Sequence, residues 1–240
     1  MKVTPYNFGE FTYSRVQHYG LFHEMGCDQQ LFRQDLVGDE WSSIKSYQNC
    51  LVLAFIRSFV PKGARILDVG GGKSLIVGLL QNEYECWNVD KFEGCGNGPK
   101  DIPQGNFKVV RDYMGDFSLE IPDHYFDLVF SISVLEHVPD NPLSWKRIRE
   151  DMDRVLARKG YSLHCVDVTL RGGVICTNGI LWELFNEEKT FNKRVDFPEL
   201  NGCKDLFVLS RREYDGHWKK YCGGRSYEEW GRTFSYNVLW

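Results

Sequence analysis

The stretch ILDVGGGKS, residues 66–74, decides how this chain of 240 residues folds. An apolar run leads into Asp68 and three consecutive glycines, and a helical pattern follows over residues 75–80. Glycine lets the backbone turn tightly and approach a ligand without a Cβ in the way. A strand, a glycine turn and a helix in this order predict a nucleotide site at the carboxyl edge of a parallel sheet. Asp90 follows about twenty positions later, where a carboxylate can accept hydrogen bonds from both ribose hydroxyls.

Three interpretations compete for this glycine turn. The phosphate-binding P-loop, G-x-x-x-x-G-K-[ST], matches over residues 72–74, but Leu67 stands where its first glycine belongs. The dinucleotide fingerprint G-x-G-x-x-G fits from Gly70 and then meets Leu75. An acidic residue followed by G-x-G remains, with Ser74 where a third glycine would stand. An ordinary glycine-rich turn between a strand and a helix stays open as the alternative.

Composition and charge are those of a globular protein. Hydrophobic residues make up 42% of the chain, enough for a sizeable core, and the net charge of −4 without a basic block predicts no nucleic-acid surface. Residues 1–11 lack the order of a signal peptide, and the longest apolar run, residues 51–56, is too short for a bilayer. The eight cysteines form no C-x-x-C pair, so we expect reduced thiols, a cytoplasmic location and no metal.

Strands and helices alternate along the middle of the chain. We predict strands at residues 64–69, 84–90, within 107–114, 126–131 and 161–168, and helices at 43–59, 73–81 and 142–158. This order is typical of a doubly wound, mostly parallel α/β sheet with helices on both faces. Gly160 is expected to break the long helix. Beyond residue 168, a helix at 180–186 precedes two strands, 206–210 and 233–239, which could pair as an antiparallel closing hairpin.

The glycine turn and Asp90 are followed by three more segments in a consistent order. They are GDF at residues 115–117, FDLVFSISVLEHVPD at 126–140 and VLARKGYSLHCV at 155–166. Together these elements resemble those of the class I S-adenosylmethionine-dependent methyltransferases, whose glycine turn reads D/E-x-G-x-G-x-G. The segment 126–140 resembles most closely the small-molecule enzymes of the ubiquinone-biosynthesis type. The resemblance covers residues 46–168, about half of the chain, and it lacks the family's proline near Gly160.

The resemblance implies a Rossmann-like methyltransferase fold and a set of donor-binding residues. These residues are Asp68, Gly70, Gly71, Gly72, Asp90, Asp116, Phe117 and Ser131. Asp90 would hold the ribose, Asp116 and Phe117 the adenine, and the backbone near Ser131 the methionine portion. Asp112 is a rival to Asp116, because it follows the apolar residues of the third strand directly. The cofactor implied is S-adenosyl-L-methionine, with S-adenosyl-L-homocysteine as the product.

The function implied is methyl transfer to a small-molecule acceptor, with oxygen favoured over nitrogen or carbon. A hydroxyl acceptor needs a base, and we predict His137 or Asp167 for that role. His137 follows the fourth strand and Asp167 ends the fifth, so both are expected at the sheet's carboxyl edge. Packing or donor orientation is the alternative role of His137. A different reaction on the same donor, such as aminopropyl transfer, and a non-catalytic binding module remain open.

The flanking segments are expected to decide the acceptor. We divide the chain into an N-terminal cap at residues 1–45, a donor-binding core at 46–168, and an acceptor-side insertion with closing strands at 169–240. Aromatic residues such as Trp182 and Phe185 build either an acceptor pocket or ordinary core. Three residues could form a lid or could simply pack: Tyr13, Arg15 and Trp41. The sequence does not indicate an oligomeric state.

Overall fold

A seven-stranded sheet forms the centre of the computed structural model, which describes residues 2–27, 43–94, 98–176, 179–186 and 190–240. Its strands are β1 (Arg65–Val69), β2 (Glu85–Val89), β3 (Lys108–Val110), β4 (Phe126–Ile132), β5 (Leu156–Arg171), β6 (Val174–Cys176) and β7 (Arg232–Leu239). The first five run parallel in the order β3-β2-β1-β4-β5. After β1, the chain adds β2 and β3 on one side and then β4 and β5 on the other, so the strand order switches between β1 and β4. Doubly wound folds bind ligands at such a switch point. The predicted fold class is confirmed.

The long strand β5 carries a different partner on each edge. Leu163 pairs with β4 on one side and with β7 on the other. Farther along, Thr169 pairs with β7 and with β6. Both β6 and β7 run antiparallel to β5, and β6 lies on the same edge as β4. The β5–β6 hairpin therefore extends past the carboxyl end of β4.

Helices cover both faces of the sheet. They are α1 (His18–Glu24), α2 (Ile44–Phe59), α3 (Leu75–Leu80), α4 (Pro142–Val155), α5 (Gly179–Asn186), α6 (Phe197–Gly202) and α7 (Tyr227–Trp230). Short helical turns add Pro5–Phe11, Leu135–His137, Arg211–Glu213, Tyr214–Trp218 and Lys219–Tyr221. Side chains at the caps fix where the helices begin, because their oxygens satisfy backbone N–H groups that have no partner within the helix. Ser43 accepts from Ser46 N, and Ser74 accepts from Val77 N directly after the glycine turn.

The N-terminal segment belongs to the main core. Phe8, Phe11 and Phe22 are fully buried in one cluster with the apolar residues of α2. Tyr13 forms an antiparallel bridge to Tyr236 of β7, so this segment also continues the sheet. The described part of the predicted cap, residues 2–27, therefore contains two short helical segments and packs into the main core. Helix α2 contacts β4, β5 and β7 and is buried along most of its length.

Two predicted boundaries are wrong. The helix over 142–158 ends at Val155, and β5 begins at the next residue and runs through Gly160. A Cβ at Gly160 would lie 2.7 Å from the Phe126 carbonyl oxygen, so glycine serves close strand packing there and does not end a helix. Residues 206–210 form no strand but single bridges, and β7 pairs with β5 over eight residues instead.

Two further sequence expectations concern what the described segments contain. Among them, no helix has both the length and the apolarity that crossing a bilayer requires. Within the same segments, no group of three or more His, Cys, Asp or Glu side chains is placed so that it could hold a metal ion.

Candidate functional site

The glycine turn lies at the carboxyl end of β1, as the sequence predicts. Gly70 and Gly72 have φ angles of 66° and 52°, in the left-handed region that glycine adopts without strain. A Cβ at Gly70 would lie 2.6 Å from Val134 Cγ1, just after β4. A side chain at Gly70 would therefore both strain the turn and push β1 away from the segment that follows β4.

Asp90 is held beside the turn by two backbone groups. Its Oδ2 accepts from Gly72 N at 3.0 Å, and its Oδ1 accepts from Phe92 N at 2.7 Å. Its own N–H donates to Val110 O at 3.1 Å, which fixes the end of β2 against β3. A carboxylate has about four acceptor sites. Both oxygens therefore retain capacity for a further hydrogen bond, such as one from a ribose hydroxyl.

Asp68 lies beneath the glycine turn in a nearly closed environment. Its side chain is on β1, next to Asn88 of β2 in the sheet register, and the residue is only 3% exposed. Asn88 Nδ2 donates to Gly72 O at 2.8 Å, so the two side chains support the turn together. A Cβ at Gly71 would lie 2.5 Å from Asp68 Oδ2. This turn therefore rests directly on a buried carboxyl group.

Burial raises the pKa of Asp68 to about 7, because the charged form loses its solvation. A hydrogen bond with Ser74 and the positive charge of Lys45 oppose this change, and the negative charge of Asp90 adds to it. The Asp68 carboxyl therefore binds a proton more readily than a solvated aspartate does. Its Oδ1 is buried without a hydrogen-bond partner among the described residues.

The two rivals for the adenine lie in different places. Asp112 follows β3 and is half-buried, with Oδ1 3.7 Å from Lys91 Nζ, next to Asp90. Asp116 is exposed and lies 3.8 Å from Arg147 of α4. Phe117 donates its N–H to the buried Asp151 of α4, and the Arg147 guanidinium lies over its ring. The structure thus brings Asp112 close to Asp90 and holds Asp116 and Phe117 against α4.

The Ser131 side chain points into the core. Its hydroxyl lies 2.7 Å from His164 Nδ1, and Ser162 Oγ lies 2.8 Å from His164 Nε2. Both ring nitrogens are thus partnered, as expected for a core histidine, and burial lowers the pKa of His164 to about 3. The side chain of Ser131 is therefore not available at the carboxyl edge. The first polar side chain at that edge is Ser133, whose φ is 51°.

Asp167 lies at the carboxyl edge in contact with a second carboxyl group. Its backbone N–H donates to Glu136 Oε1 at 3.3 Å, and the two carboxyl groups lie within hydrogen-bonding reach of each other. Burial raises the pKa of Glu136 well above its usual range, and the charge of Asp167 raises it further. Burial also raises the pKa of Asp167, against the hydrogen bonds that it accepts. Sequence reasoning quoted Glu136 only as the neighbour of His137 and missed this role.

Two neutral side chains orient Asp167. Gln48, fully buried on α2, donates through Nε2 to Asp167 Oδ1 at 2.7 Å. Ser133 Oγ lies 2.6 Å from Gln48 Oε1 and 3.3 Å from Asp167 Oδ1. Sequence reasoning missed Gln48 as well. The available signal was its position one helical turn after Ile44 and three residues before Leu51, on the apolar side of α2, where a buried amide requires partners.

His137 stands at the end of the Leu135–His137 turn and is exposed. Its positive charge favours the ionised form of Asp167 and so lowers the pKa of that carboxyl. The structure therefore brings His137 near Asp167, while its role as a base stays a prediction.

The flanking aromatics mostly pack. Tyr13 is buried against Phe234 and Tyr236, and Phe185 packs edge-on against Tyr236. Trp182 is 38% exposed on α5, which contacts the turn that holds His137. Of the other two lid candidates, Arg15 forms an ion pair with Glu199 at 3.2 Å, and Trp41 lies outside the described residues.

Solved structures with a similar arrangement include the YcgJ protein from Bacillus subtilis, with 21% identity and a TM-score of 0.37 over 48% of this chain and 49% of that one. A TehB-like S-adenosylmethionine-dependent methyltransferase from Corynebacterium glutamicum shows 17% identity and a TM-score of 0.40, over 61% and 73% of the two chains. A third structure is phosphoethanolamine N-methyltransferase 2 from Haemonchus contortus, in complex with phosphomonomethylethanolamine and S-adenosylhomocysteine. It shows 13% identity and a TM-score of 0.42, over 75% of this chain and 49% of that one. The alignment thus spans about half of the YcgJ chain, 49%.

The sequence itself matches a known family. Among curated proteins no relative matches the chain significantly. The model of the methyltransferase domain family matches residues 67–163, a range that contains the glycine turn, Asp90, Glu136, all of β4 and the first half of β5. The narrower likeness to the ubiquinone-biosynthesis type stays a prediction. The stretch that resembles a methyltransferase domain is therefore residues 67–163, which make up less than half of the chain.

Proposed function

We propose that this chain transfers a methyl group from S-adenosylmethionine to a small-molecule acceptor, with oxygen as the favoured acceptor atom. The observation that carries the donor half of the proposal is the Asp90 carboxylate. It is fixed by Gly72 N and Phe92 N beside a turn that leaves no room for a side chain at Gly70. A glycine turn with a hydrogen-bond acceptor held beside it fits a nucleoside with a free ribose diol.

The donor, when bound, supplies a methyl group already activated by a positively charged sulfur. The protein then has to hold the donor in place and keep water away from it. Asp90 would accept from the ribose, and Asp112 from the adenine amino group. Asp112 is preferred to Asp116 because it follows β3 beside Asp90, whereas Asp116 extends from a loop held by α4.

The preference for oxygen rests on Asp167. An alcohol or phenol must lose a proton as it is methylated, and a base whose pKa lies near the working pH is best suited to accept it. Asp167 is half-buried and its pKa is raised by burial, so its carboxylate binds a proton more readily than an exposed aspartate does. His137 is the second candidate, from the exposed turn beside it. Trp182 on α5 would offer an apolar surface to the acceptor.

Calorimetry with S-adenosylhomocysteine tests the donor site. Asp90→Asn keeps the shape of the side chain and removes its charge, and we expect an affinity loss of about ten- to a hundredfold. Asp153→Asn, on the exposed side of α4, is the matched control and should bind like the wild type. Equal binding by the two variants would refute the donor site.

Transfer of labelled methyl from the donor to a mixture of small metabolites tests the reaction. The wild type should label at least one metabolite, and Asp167→Asn should lower that labelling without weakening S-adenosylhomocysteine binding. A chain that binds the donor but labels nothing, with varied alcohols, phenols and amines present, would favour a non-catalytic module.

A further inference from the structure

The carboxyl groups of Glu136 and Asp167 lie together just past the end of β4, Glu136 in the turn that follows β4 and Asp167 on the facing part of β5. A single base would need only one of them. We propose that these two groups share one proton in the free protein and release it when the positively charged methyl donor binds. The pair would then distinguish the donor, a sulfonium cation, from its uncharged thioether product. This inference rests on the proposed function, since it requires the donor's sulfur to lie at this edge.

The geometry of the pair is closely fixed. Glu136 Oε1 accepts from Asp167 N at 3.3 Å, and the two carboxyl groups lie within hydrogen-bonding reach of each other. Glu136 Oε2 is buried. Gln48 Nε2 and Ser133 Oγ both approach Asp167 Oδ1, at 2.7 and 3.3 Å. Asp167 Oδ1 is therefore held from α2 and from the residue after β4, which orients the carboxyl group beside Glu136.

The pair also lies next to the donor site. Val134 lies between Ser133 and Glu136 in sequence, and its side chain is the neighbour that a Cβ at Gly70 would strike at 2.6 Å. The charge of Lys45 acts on both Asp68 and Asp167, so one ammonium group at the start of α2 is near both carboxyl groups. The pair and the glycine turn therefore border the same crevice between β1 and β4.

Electrostatics explains why the proton would leave. Two carboxyl groups in hydrogen-bond contact inside a protein cannot both ionise cheaply, so they titrate as a pair that keeps one proton. A cation within about 4–6 Å favours the ionised form of a carboxyl group. The donor's sulfonium can thus replace the shared proton as the compensating charge. The thioether product carries no such charge, so with the product bound the proton stays.

Other groups around the pair do not supply this charge difference. Lys45 from α2 and His137 from the turn after β4 both favour ionised Asp167, and they are present with either ligand. Burial raises the pKa of the Cys165 thiol on β5 well above its usual range, which keeps it neutral. Glu183 on α5, which packs against the same turn, is exposed to solvent.

The test compares proton release on binding the two ligands. Calorimetry in buffers of different ionisation enthalpy, near pH 7, gives the number of protons released with S-adenosylmethionine and with S-adenosylhomocysteine. Each is measured for the wild type, Glu136→Gln, Asp167→Asn and the control Asp123→Asn, whose side chain pairs with Arg154 at the opposite edge of the sheet. Using both carboxyl variants keeps the test valid if one of them fails to fold, and subtracting a variant's count removes protons that belong to the ligands.

The wild type and Asp123→Asn should release up to about one proton more with the donor than with the product. Their affinity for the donor should rise by up to about tenfold per pH unit. In Glu136→Gln and Asp167→Asn, the additional proton release with the donor should vanish. If the wild type binds both ligands and releases equal numbers of protons with each, the inference is wrong while the proposed function stands. The same holds if the carboxyl variants keep the extra proton release. Failure to bind either ligand would refute the proposed function together with it.

Discussion

The buried carboxyl group under the glycine turn makes the stability of the protein depend on pH. Replacing Asp68 with Asn keeps the shape of the side chain and removes its titration. The pKa of Asp68 rises from 3.8 in a solvated carboxyl to about 7 in the fold. The folded state therefore binds the Asp68 proton more tightly than the unfolded state does. This contribution to stability is fully present below pH 3.8 and is lost as pH rises towards 7.

The size of the effect follows from the two pKa values. Each pKa unit corresponds to about 1.4 kcal/mol, and the loss proceeds only between the unfolded and folded values. Between about pH 5 and pH 8, the wild type should lose about 2–3 kcal/mol of unfolding free energy through this group. Over the same pH interval, the unfolding free energy of Asp68→Asn should fall by about 2–3 kcal/mol less than that of the wild type. The variant should therefore gain stability relative to the wild type as pH rises.

Urea denaturation at several pH values, without ligand, measures this difference. Asp127→Asn is the control, because the ion pair with Arg65 lowers the pKa of Asp127 and places its titration below the interval. That variant should be less stable than the wild type by the same amount at every pH tested. If Asp68→Asn runs parallel to the wild type in the same way, Asp68 is ionised or solvated in the fold and the reasoning is wrong.

Three further outcomes are expected. Gly72→Val should abolish S-adenosylhomocysteine binding with the far-ultraviolet spectrum unchanged, whereas Gly78→Ala, on open helix surface, should bind normally and gain about 0.5–1 kcal/mol in denaturation. Asp151→Ala should lose about 3 kcal/mol of unfolding free energy in urea, because it breaks the ion pair with Arg154 and leaves the N–H groups of Gly115 and Phe117 without their acceptor. The control Asp153→Ala, at an exposed position on the same helix, should lose under about 0.5 kcal/mol. Lys73→Ala should leave S-adenosylhomocysteine affinity unchanged, and Lys73-dependent ATP binding would contradict this.

The part of the fold that could be predicted is the part with local signals. The apolar run before Asp68, the glycine turn and the Ser74 cap all lie within residues 66–74. Because each acts on its immediate neighbours in sequence, β1 and the start of α3 can be predicted from them. Asp90 likewise lies at the end of its strand. The end of α4 could not be predicted, because a strand starts at the next residue and only pairing with β4 reveals it.

The less predictable part of the site depends on contacts between distant segments. Gln48 meets Asp167 across 119 positions, and that contact exists only because α2 packs on β5. Glu136 is set beside Asp167 by the pairing of β4 with β5. For the adenine, Asp112 follows β3 directly and Asp116 lies farther along the chain, and the choice between them stays a prediction.

The placement of β7 has a consequence for how the chain reaches its native state. This strand is synthesised after all the others, yet it fills one edge of β5 and joins Tyr13 from the opposite end of the chain. Until it docks, β5 exposes unpaired N–H and C=O groups to other molecules, the arrangement that promotes aggregation. Pairing over such a sequence separation is slow to form. Nascent chains arrested before residue 232 should therefore bind chaperones for longer than chains released with β7 complete.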